Sequence, residues 1–166
     1  MSANFETEIG TYLLFSLGGK YFALAIEKVI CIVELQEIVD IPNSPKLLKG
    51  IITVRDEVVP VLDVQYKFNQ EQSKVTTDTC LVIIEFCSGN EEFEAAIRVD
   101  NVYEVVELKI SDLKPIPHLN QSFIKESSVS KIASYGDKIY LLIDFDQVFG
   151  DSEILEIDSF VQALEF

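Results

Sequence analysis

The sequence has little of what metal sites and catalytic centres need. Its 166 residues include one histidine, His118, and three cysteines, Cys31, Cys80 and Cys87, with no CxxC spacing. Because zinc sites take clustered His and Cys ligands, we expect no metal site. An odd number of scattered cysteines predicts buried free thiols in a reducing compartment. Neither a GxSxG sequence nor a glycine-rich phosphate motif occurs, so we expect no enzyme activity and no cofactor.

Long hydrophobic runs are also absent. The longest are short segments such as 29–33 and 139–143, whereas a membrane helix needs about 20 apolar residues. Residues 1–10 contain Glu6 and Glu8, and no basic segment followed by an apolar one, so they do not resemble a signal peptide. We therefore expect a cytoplasmic protein with no direct membrane insertion.

Basic residues are scarce. The chain has 13 Lys and Arg against 28 Asp and Glu, for a net charge of -15. Such a surface repels nucleic-acid phosphates and anionic lipid headgroups, and no Lys/Arg run offsets it, so we expect no nucleic-acid partner. The charge favours solubility, with a basic protein partner as the alternative.

What the chain does have is a series of short strand-like segments around turn residues. Four predicted β-hairpins turn at Gly18-Gly19, 55–57, 88–90 and Gly136-Asp137. Helical signals are brief, and the chain is predicted to be all-β, with short helices. The tail is the exception, because four apolar residues recur there at spacings of three and four, with Asp151 or Ser152 as the expected cap. The expected helices are at 45–49 (one or two turns), 63–68, 144–149 and 151–166, the last packing on its own domain.

An internal repeat indicates two related halves. Residues 22–29 resemble residues 95–102 at an offset of 73, and residues 56–63 resemble residues 137–144 at an offset of 81. A longer surface loop at 114–130 explains the difference between the offsets. Each half supplies about five strands, and units of this size close into small barrels because closure removes exposed sheet edges. The predicted halves are 12–68 and 79–149, with some strand exchange.

The segment 29–33 consists of five consecutive apolar residues in a predicted strand. Because side chains alternate between the two faces of a strand, both faces must meet apolar surroundings. One face belongs to the core of its barrel. The other either packs on the sister barrel or lines an exposed groove that suits an amphipathic partner helix.

Residues 41–63 carry a family resemblance. The segments Ile41-Pro42-Asn43-Ser44-Pro45 and Leu48–Asp63 resemble the approximate signature P-x-P-N-x-P…K-G-x-I-N-L-R-G-x-x-x-P-V-x-D of the CheW-like chemotaxis coupling proteins. The likeness extends over about residues 10–150. It implies two interlocked five-stranded SH3-like barrels plus a C-terminal helix.

The resemblance also implies a non-enzymatic adaptor. Such proteins couple the cytoplasmic tips of methyl-accepting chemoreceptors to the histidine kinase CheA, bind a CheA regulatory domain of the same fold, and are recruited to membrane-associated receptor arrays. The receptor tip is a helical hairpin that docks between the barrels. By this resemblance, the partner-binding residues are Arg55 for receptor contact, Gly50 for backbone geometry, Val29 and Val33 for one groove wall, and Val102 and Val106 for the opposite wall.

The chain departs from the family signature at three positions. Thr53 replaces the signature Asn, Asp56 replaces the Gly after Arg55, and Cys31 stands where many relatives carry Glu, which the second half keeps as Glu104. These departures leave open a specialised paralogue that serves another signalling array. A different alternative is a small-molecule-binding or hydrolytic barrel that uses His118.

Overall fold

The computed structural model describes residues 9–88, 91–115 and 129–164. The predicted loop 114–130 and His118 therefore lie mostly or entirely outside the described residues. The strands are β1 (Ile9–Leu17), β2 (Lys20–Ala25), β3 (Val29–Glu34), β4 (Leu48–Val54), β5 (Glu57–Leu62), β6 (Cys80–Ser88), β7 (Glu91–Val99), β8 (Asn101–Lys109), β9 (Lys114–Pro115), β10 (Val129–Tyr135) and β11 (Lys138–Ile143). The helices are α1 (Val64–Lys67), α2 (Phe145–Val148) and α3 (Asp151–Ala163).

The strands form two sheets. One sheet has the order β8-β1-β2-β11-β10-β9, and the other has the order β3-β6-β7-β5-β4. Each sheet takes strands from both repeat segments, because the chain crosses between the sheets after β2 and again after β7. The all-β prediction is confirmed.

The pairing registers repeat the sequence offsets. In one sheet Val61 pairs with Ala96 across the parallel strands β5 and β7. Offsets of 81 and 73 convert this pair into Leu142 and Ala23, which pair across β11 and β2 in the other sheet. The two barrels are thus quasi-equivalent: an offset of 73 or 81 relates a position in one barrel to the matching position in the other.

Three apolar clusters hold the molecule together. The largest, the central cluster, joins the two sheets and includes Phe15, Phe22 and Phe86. A second cluster lies within the barrel of the β1 sheet around Leu14, and a third within the barrel of the β6 sheet around Ile83. The alternating faces of each strand thus serve a barrel interior on one side and the contact between barrels on the other.

The short helices follow strands and begin at carboxylate caps. Asp63 accepts a hydrogen bond from the Tyr66 amide at 2.9 Å at the start of α1. Asp144 accepts one from the Asp146 amide at 3.0 Å at the start of α2. This is the N-cap arrangement that satisfies otherwise unpaired amides of the first turn. The helices predicted at 63–68 and 144–149 are confirmed.

The tail helix packs on its own domain, as predicted, because Ile154 and Ile157 are buried in the central cluster. Its predicted caps are wrong. The N-cap is Gly150, whose amide donates to the Glu153 carboxylate at 2.9 Å. None of the helices in the described ranges is long and apolar enough to cross a membrane.

The helix predicted at 45–49 is also wrong. The segment forms a turn in which the Leu48 amide donates to the Pro45 carbonyl at 3.0 Å, and β4 begins at Leu48. Leu48 is needed in the sheet, where it pairs with Leu62 and joins the central cluster. Tertiary packing therefore outweighs the local tendency of Pro45 to start a helix.

Candidate protein-binding site

The outer strands β3 and β8 occupy quasi-equivalent edges of the two sheets. Each has one paired neighbour, β6 for β3 and β1 for β8, so its other edge is unpaired within the sheet. Both strands expose two large apolar residues: Ile30 and Ile32 are 36% and 43% exposed, and Tyr103 and Val105 are 42% and 53% exposed. An offset of 73 converts the first pair into the second. We call these four residues the edge pairs.

A β-bulge sets the direction of the side chains in β3. Val29 pairs with Ile84 and Cys31 pairs with the adjacent Ile83, so Ile30 has no opposite residue. Adjacent residues of a strand face opposite sides, and directly opposed residues share a side. Val29 therefore faces the central cluster with Ile84, whereas Cys31 faces the barrel interior with Ile83.

The same bulge occurs in β8. Glu104 pairs with Leu14 and Val102 with Phe15, so Tyr103 is skipped, as Ile30 is in β3. Bulges turn a strand and redirect its side chains, and they are common at sheet edges. The two edge strands therefore share the same local backbone irregularity at quasi-equivalent positions.

Ile32 and Val105 border the contact between the two sheets. Ile32 pairs with Val82, and Val105 pairs with Leu13. Both partners belong to the central cluster, so Ile32 and Val105 lie on its side of their sheets while remaining about half exposed. Each has an apolar side chain that the rest of the protein covers only in part.

The structure places the predicted groove residues in the cores. Val29 and Val102 are partly buried against the central cluster, Val33 is partly buried in one barrel, and Val106 is 6% exposed in the other. The middle of the contact between the barrels is filled by the protein's own side chains, and the large apolar residues that β3 and β8 leave exposed are the edge pairs. The sequence could have indicated these residues, since segment 29–33 is apolar throughout, but nothing in it shows the bulge. The partner role of the four valines stays a prediction.

Arg55 lies beside β3. It occupies the two-residue turn between β4 and β5 with φ 51°, next to Asp56 with φ 66°. Its Nη2 is 4.0 Å from the sulfur of Cys31, the residue between the two exposed isoleucines. Arg55 is exposed and forms no ion pair with any described residue. A guanidinium is thus available at this edge, and its contact with a receptor stays a prediction.

Gly50 is buried in β4 and allows the backbone of residues 38–39 to pack closely against this strand. A Cβ at this position would lie 2.5 Å from the Val39 carbonyl oxygen and 2.6 Å from Cγ2 of Ile38. Val39 bridges to Ile51 through two backbone hydrogen bonds of 2.9 Å. Gly50 therefore contributes through backbone geometry, as the resemblance implies, and offers a partner no surface of its own.

An aromatic group adjoins the β8 edge. The ring of Tyr21 lies 6.0 Å from that of Tyr103 and 5.6 Å from that of Tyr140, with the Lys138 ammonium 5.1 Å above it. The Tyr103 hydroxyl donates to the Ser16 hydroxyl at 3.2 Å. Burial raises the pKa of Tyr140, which keeps this phenol neutral. Such amphipathic rings are common in protein interfaces, and the sequence pattern alone did not single them out.

The described residues contain no group of three or more His, Cys, Asp or Glu side chains arranged to hold a metal. The three cysteines are free, but none is fully buried as predicted: Cys31 and Cys80 are partly buried, and Cys87 is exposed. A cavity of about 360 Å³ beside α3 contains the Lys67–Glu153 ion pair, 2.7 Å between N and O. The ion pair neutralises these two charges, and Glu156, Tyr66 and Lys46 also line the cavity.

The sequence model of the CheW-like domain family matches residues 11–153 of this chain. The chain belongs to the CheW-like domain family. This confirms the family resemblance found in residues 41–63.

Individual relatives agree with this assignment. The chain is 24% identical over 158 residues to the chemotaxis protein CheW of Klebsiella aerogenes, covering 95% of this chain and 92% of the relative. It is 24% identical over 136 residues to CheW of Bacillus subtilis, covering 82% and 84%.

A solved structure is also similar. The crystal structure of the scaffolding protein TtCheW from Thermoanaerobacter tengcongensis matches with a TM-score of 0.75 and 27% identity, over 89% of this chain and 94% of that one. The likeness identifies the two sheets as the two SH3-like barrels of a CheW-like fold, which confirms the predicted fold class.

Proposed function

We propose that this chain is a non-enzymatic adaptor of bacterial chemotaxis that couples chemoreceptors to the histidine kinase CheA. The family assignment and the names of its relatives, chemotaxis protein CheW and a scaffolding protein, support this proposal. Its place in the cell would be the cytoplasm, at membrane-associated receptor arrays. No cofactor is required for such a role.

The observation that carries the proposal is the presence of apolar edge pairs on two quasi-equivalent strands. Fully burying one large apolar side chain contributes about 1.5–3 kcal/mol. The edge pairs are each about half exposed, so covering all four would contribute roughly 3–5 kcal/mol, before the costs of association. Divided between two partners, this burial contributes to binding but does not hold either partner tightly without further contacts.

Each partner has a suitable surface. A receptor tip is a helical hairpin, and the half-exposed Ile32 and Val105 each offer an apolar contact to an amphipathic helix. Tyr103, with the neighbouring ring of Tyr21, offers a second apolar patch for the CheA regulatory domain. Two surfaces allow both partners to bind at once, which an adaptor requires.

The test is co-sedimentation with a chemoreceptor cytoplasmic fragment and with CheA, separately and together. Replacing Ile32 and Val105 by Asp should greatly reduce recovery with the receptor fragment, because each change puts a charge where apolar contact is expected. The matched control is Val75→Asp, since Val75 is 58% exposed and lies on neither edge strand. Arg55→Glu should also weaken receptor binding while leaving the fold intact.

Three experimental results bear on the adaptor function. Undiminished receptor binding by the Ile32→Asp/Val105→Asp variant would remove the edge pairs from the interface. A wild-type protein that binds neither receptor nor CheA would refute the adaptor function. An activity abolished by His118→Ala would instead favour the alternative of a small-molecule-binding or hydrolytic barrel.

A further inference from the structure

Lys49 and Arg98 line the same small cavity beside the strands β4 and β7. Lys49 is the skipped residue of the bulge in β4. Arg98 pairs with Leu81, which lies in the interior of the β6-sheet barrel. Both cationic side chains are partly buried. Two cations are thus brought together in a protein whose acidic residues outnumber its basic ones 28 to 13.

Among the described residues, neither cation has a carboxylate within ion-pair distance. Lys49 Nζ donates instead to the side-chain oxygen of Gln72 at 2.9 Å, and Arg98 Nη2 donates to the backbone carbonyl of Ser73 at 3.0 Å. Cations that leave water are normally paired with an anion, because burial of an isolated charge is costly. Two partly buried cations that contact neutral acceptors are therefore unusual.

The carboxylate of Asp63 also lines the cavity, but neutral donors occupy it. It accepts hydrogen bonds from the side-chain nitrogen of Gln72 at 2.9 and 3.1 Å and from the Tyr66 amide at 2.9 Å. Burial lowers the pKa of Lys49, and repulsion from Arg98 also lowers it, against the opposite effect of Asp63. With two cations and one carboxylate, the cavity keeps an excess of positive charge.

The duplicated fold does not itself require these two cations. The offsets of 73 and 81 relate Arg98 to Ala25 and Lys49 to Ser130, and neither of these residues carries a charge. The strand pairing is nevertheless repeated, since β2 pairs with β11 as β7 pairs with β5. The pair of cations is therefore a feature of one barrel, and the cost of bringing the charges together has a reason other than closing the barrel.

We propose that Lys49 and Arg98 bind a single chloride-sized anion in the cavity that they line. The cavity has a volume of about 10 Å³, which is room for about one particle of the size of water. It admits a monatomic anion and is too small for phosphate or a carboxylate. A lysine has three N–H donors and an arginine five, and each side chain here uses one of them on a neutral acceptor, so both can donate to an anion. The anion joins β4 and β7 and stabilises this barrel.

Melting temperatures of the full chain in ~0.1 M sodium chloride and ~0.1 M sodium acetate, whose anion is too large for the cavity, test the site in solution. With a Kd of about 10 mM, chloride would raise the folding equilibrium constant about 11-fold. The wild type should then melt about 3–6 °C higher in chloride. Lys49→Gln and Arg98→Gln each remove a charge but keep an N–H donor, and they should lose most of this difference. The matched control Lys46→Gln removes the exposed charge of a nearby lysine and should keep it.

Bromide, the heavier analogue of chloride, locates the site directly. In crystals of the wild type grown with sodium bromide, an anomalous difference peak should contact both Lys49 Nζ and the Arg98 guanidinium. A cavity without this peak would overturn the inference. So would equal melting temperatures of the wild type in chloride and acetate, because a bromide peak would then reflect binding at crystal concentration only. Either failure leaves the adaptor function standing, since co-sedimentation with the receptor fragment and CheA tests that function separately.

Discussion

Replacing Gly50 by Ala tests how the β6-sheet barrel is closed. The added Cβ would approach the Val39 carbonyl oxygen to 2.5 Å, which is too close, so the segment carrying Val39 must move. The movement would strain or break the two 2.9 Å hydrogen bonds between Val39 and Ile51. At a net contribution of about 1 kcal/mol each, their loss costs about 2 kcal/mol.

Alanine also restricts the unfolded chain, which offsets about 0.5–1 kcal/mol of that loss. The free energy of unfolding should therefore fall by about 1–1.5 kcal/mol. Urea unfolding followed by circular dichroism measures this, since a lower midpoint at unchanged slope indicates reduced stability. The matched control is Lys131→Ala, because Lys131 follows the skipped residue of the corresponding bulge in β10 and already carries a side chain. A Gly50→Ala protein as stable as the wild type would refute the reasoning that close approach of Val39 requires glycine.

Two further predictions concern the turn and the contact between barrels. Arg55→Gly should raise the melting temperature, because relief of an unfavourable φ of 51° (about 1–2 kcal/mol) exceeds the entropy cost of glycine (about 0.5–1 kcal/mol); a lowered melting temperature would contradict this. Lys28→Met should lower the free energy of unfolding by about 1 kcal/mol at pH 8, because Lys28 pairs with Asp146 at 2.8 Å. Burial lowers the pKa of Lys28, but hydrogen bonding and charge from Asp146 and Cys87 outweigh it, so the pKa lies above 10.5. The stabilisation is therefore full below pH 10.5 and is lost as the pH rises through the higher folded pKa, which unfolding curves of both proteins at several pH values would show. A difference that does not change above pH 10.5 would contradict this assignment.

The duplicated architecture could be predicted because the two halves of the chain still have similar residues at matching positions. Offsets of 73 and 81 read from the sequence are the offsets that relate the pairs Val61–Ala96 and Leu142–Ala23. Helices after β5 and β11 could be predicted as well, since Asp63 and Asp144 are side chains that cap helix starts. Local chemistry and tertiary structure agree at these positions.

The exposed residues of β3 could not be predicted from the sequence, because the bulge interrupts the alternation of its side chains. Strict alternation would place Val29, Cys31 and Val33 on one side of β3. The skipped residue Ile30 instead sends Val29 to the central cluster and Cys31 to the barrel interior, and it leaves Ile32 half exposed. All five residues of segment 29–33 are apolar, so their types do not reveal where the alternation breaks. The predicted residues Val29 and Val33 are partly buried, and the exposed residues of this strand are their neighbours Ile30 and Ile32.

The differences between the two edges bear on why an adaptor would use a duplicated fold. Two identical edges would select the same partner twice, because specificity depends on differences in the groups presented. The shared bulge instead presents unlike chemistry at matched positions, with Cys31 and Arg55 on one barrel and Glu104 and Gly136 on the other. The backbone geometry is kept, so each edge still offers two apolar side chains to a partner. Duplication thus supplies two edges of similar backbone geometry that present different charges.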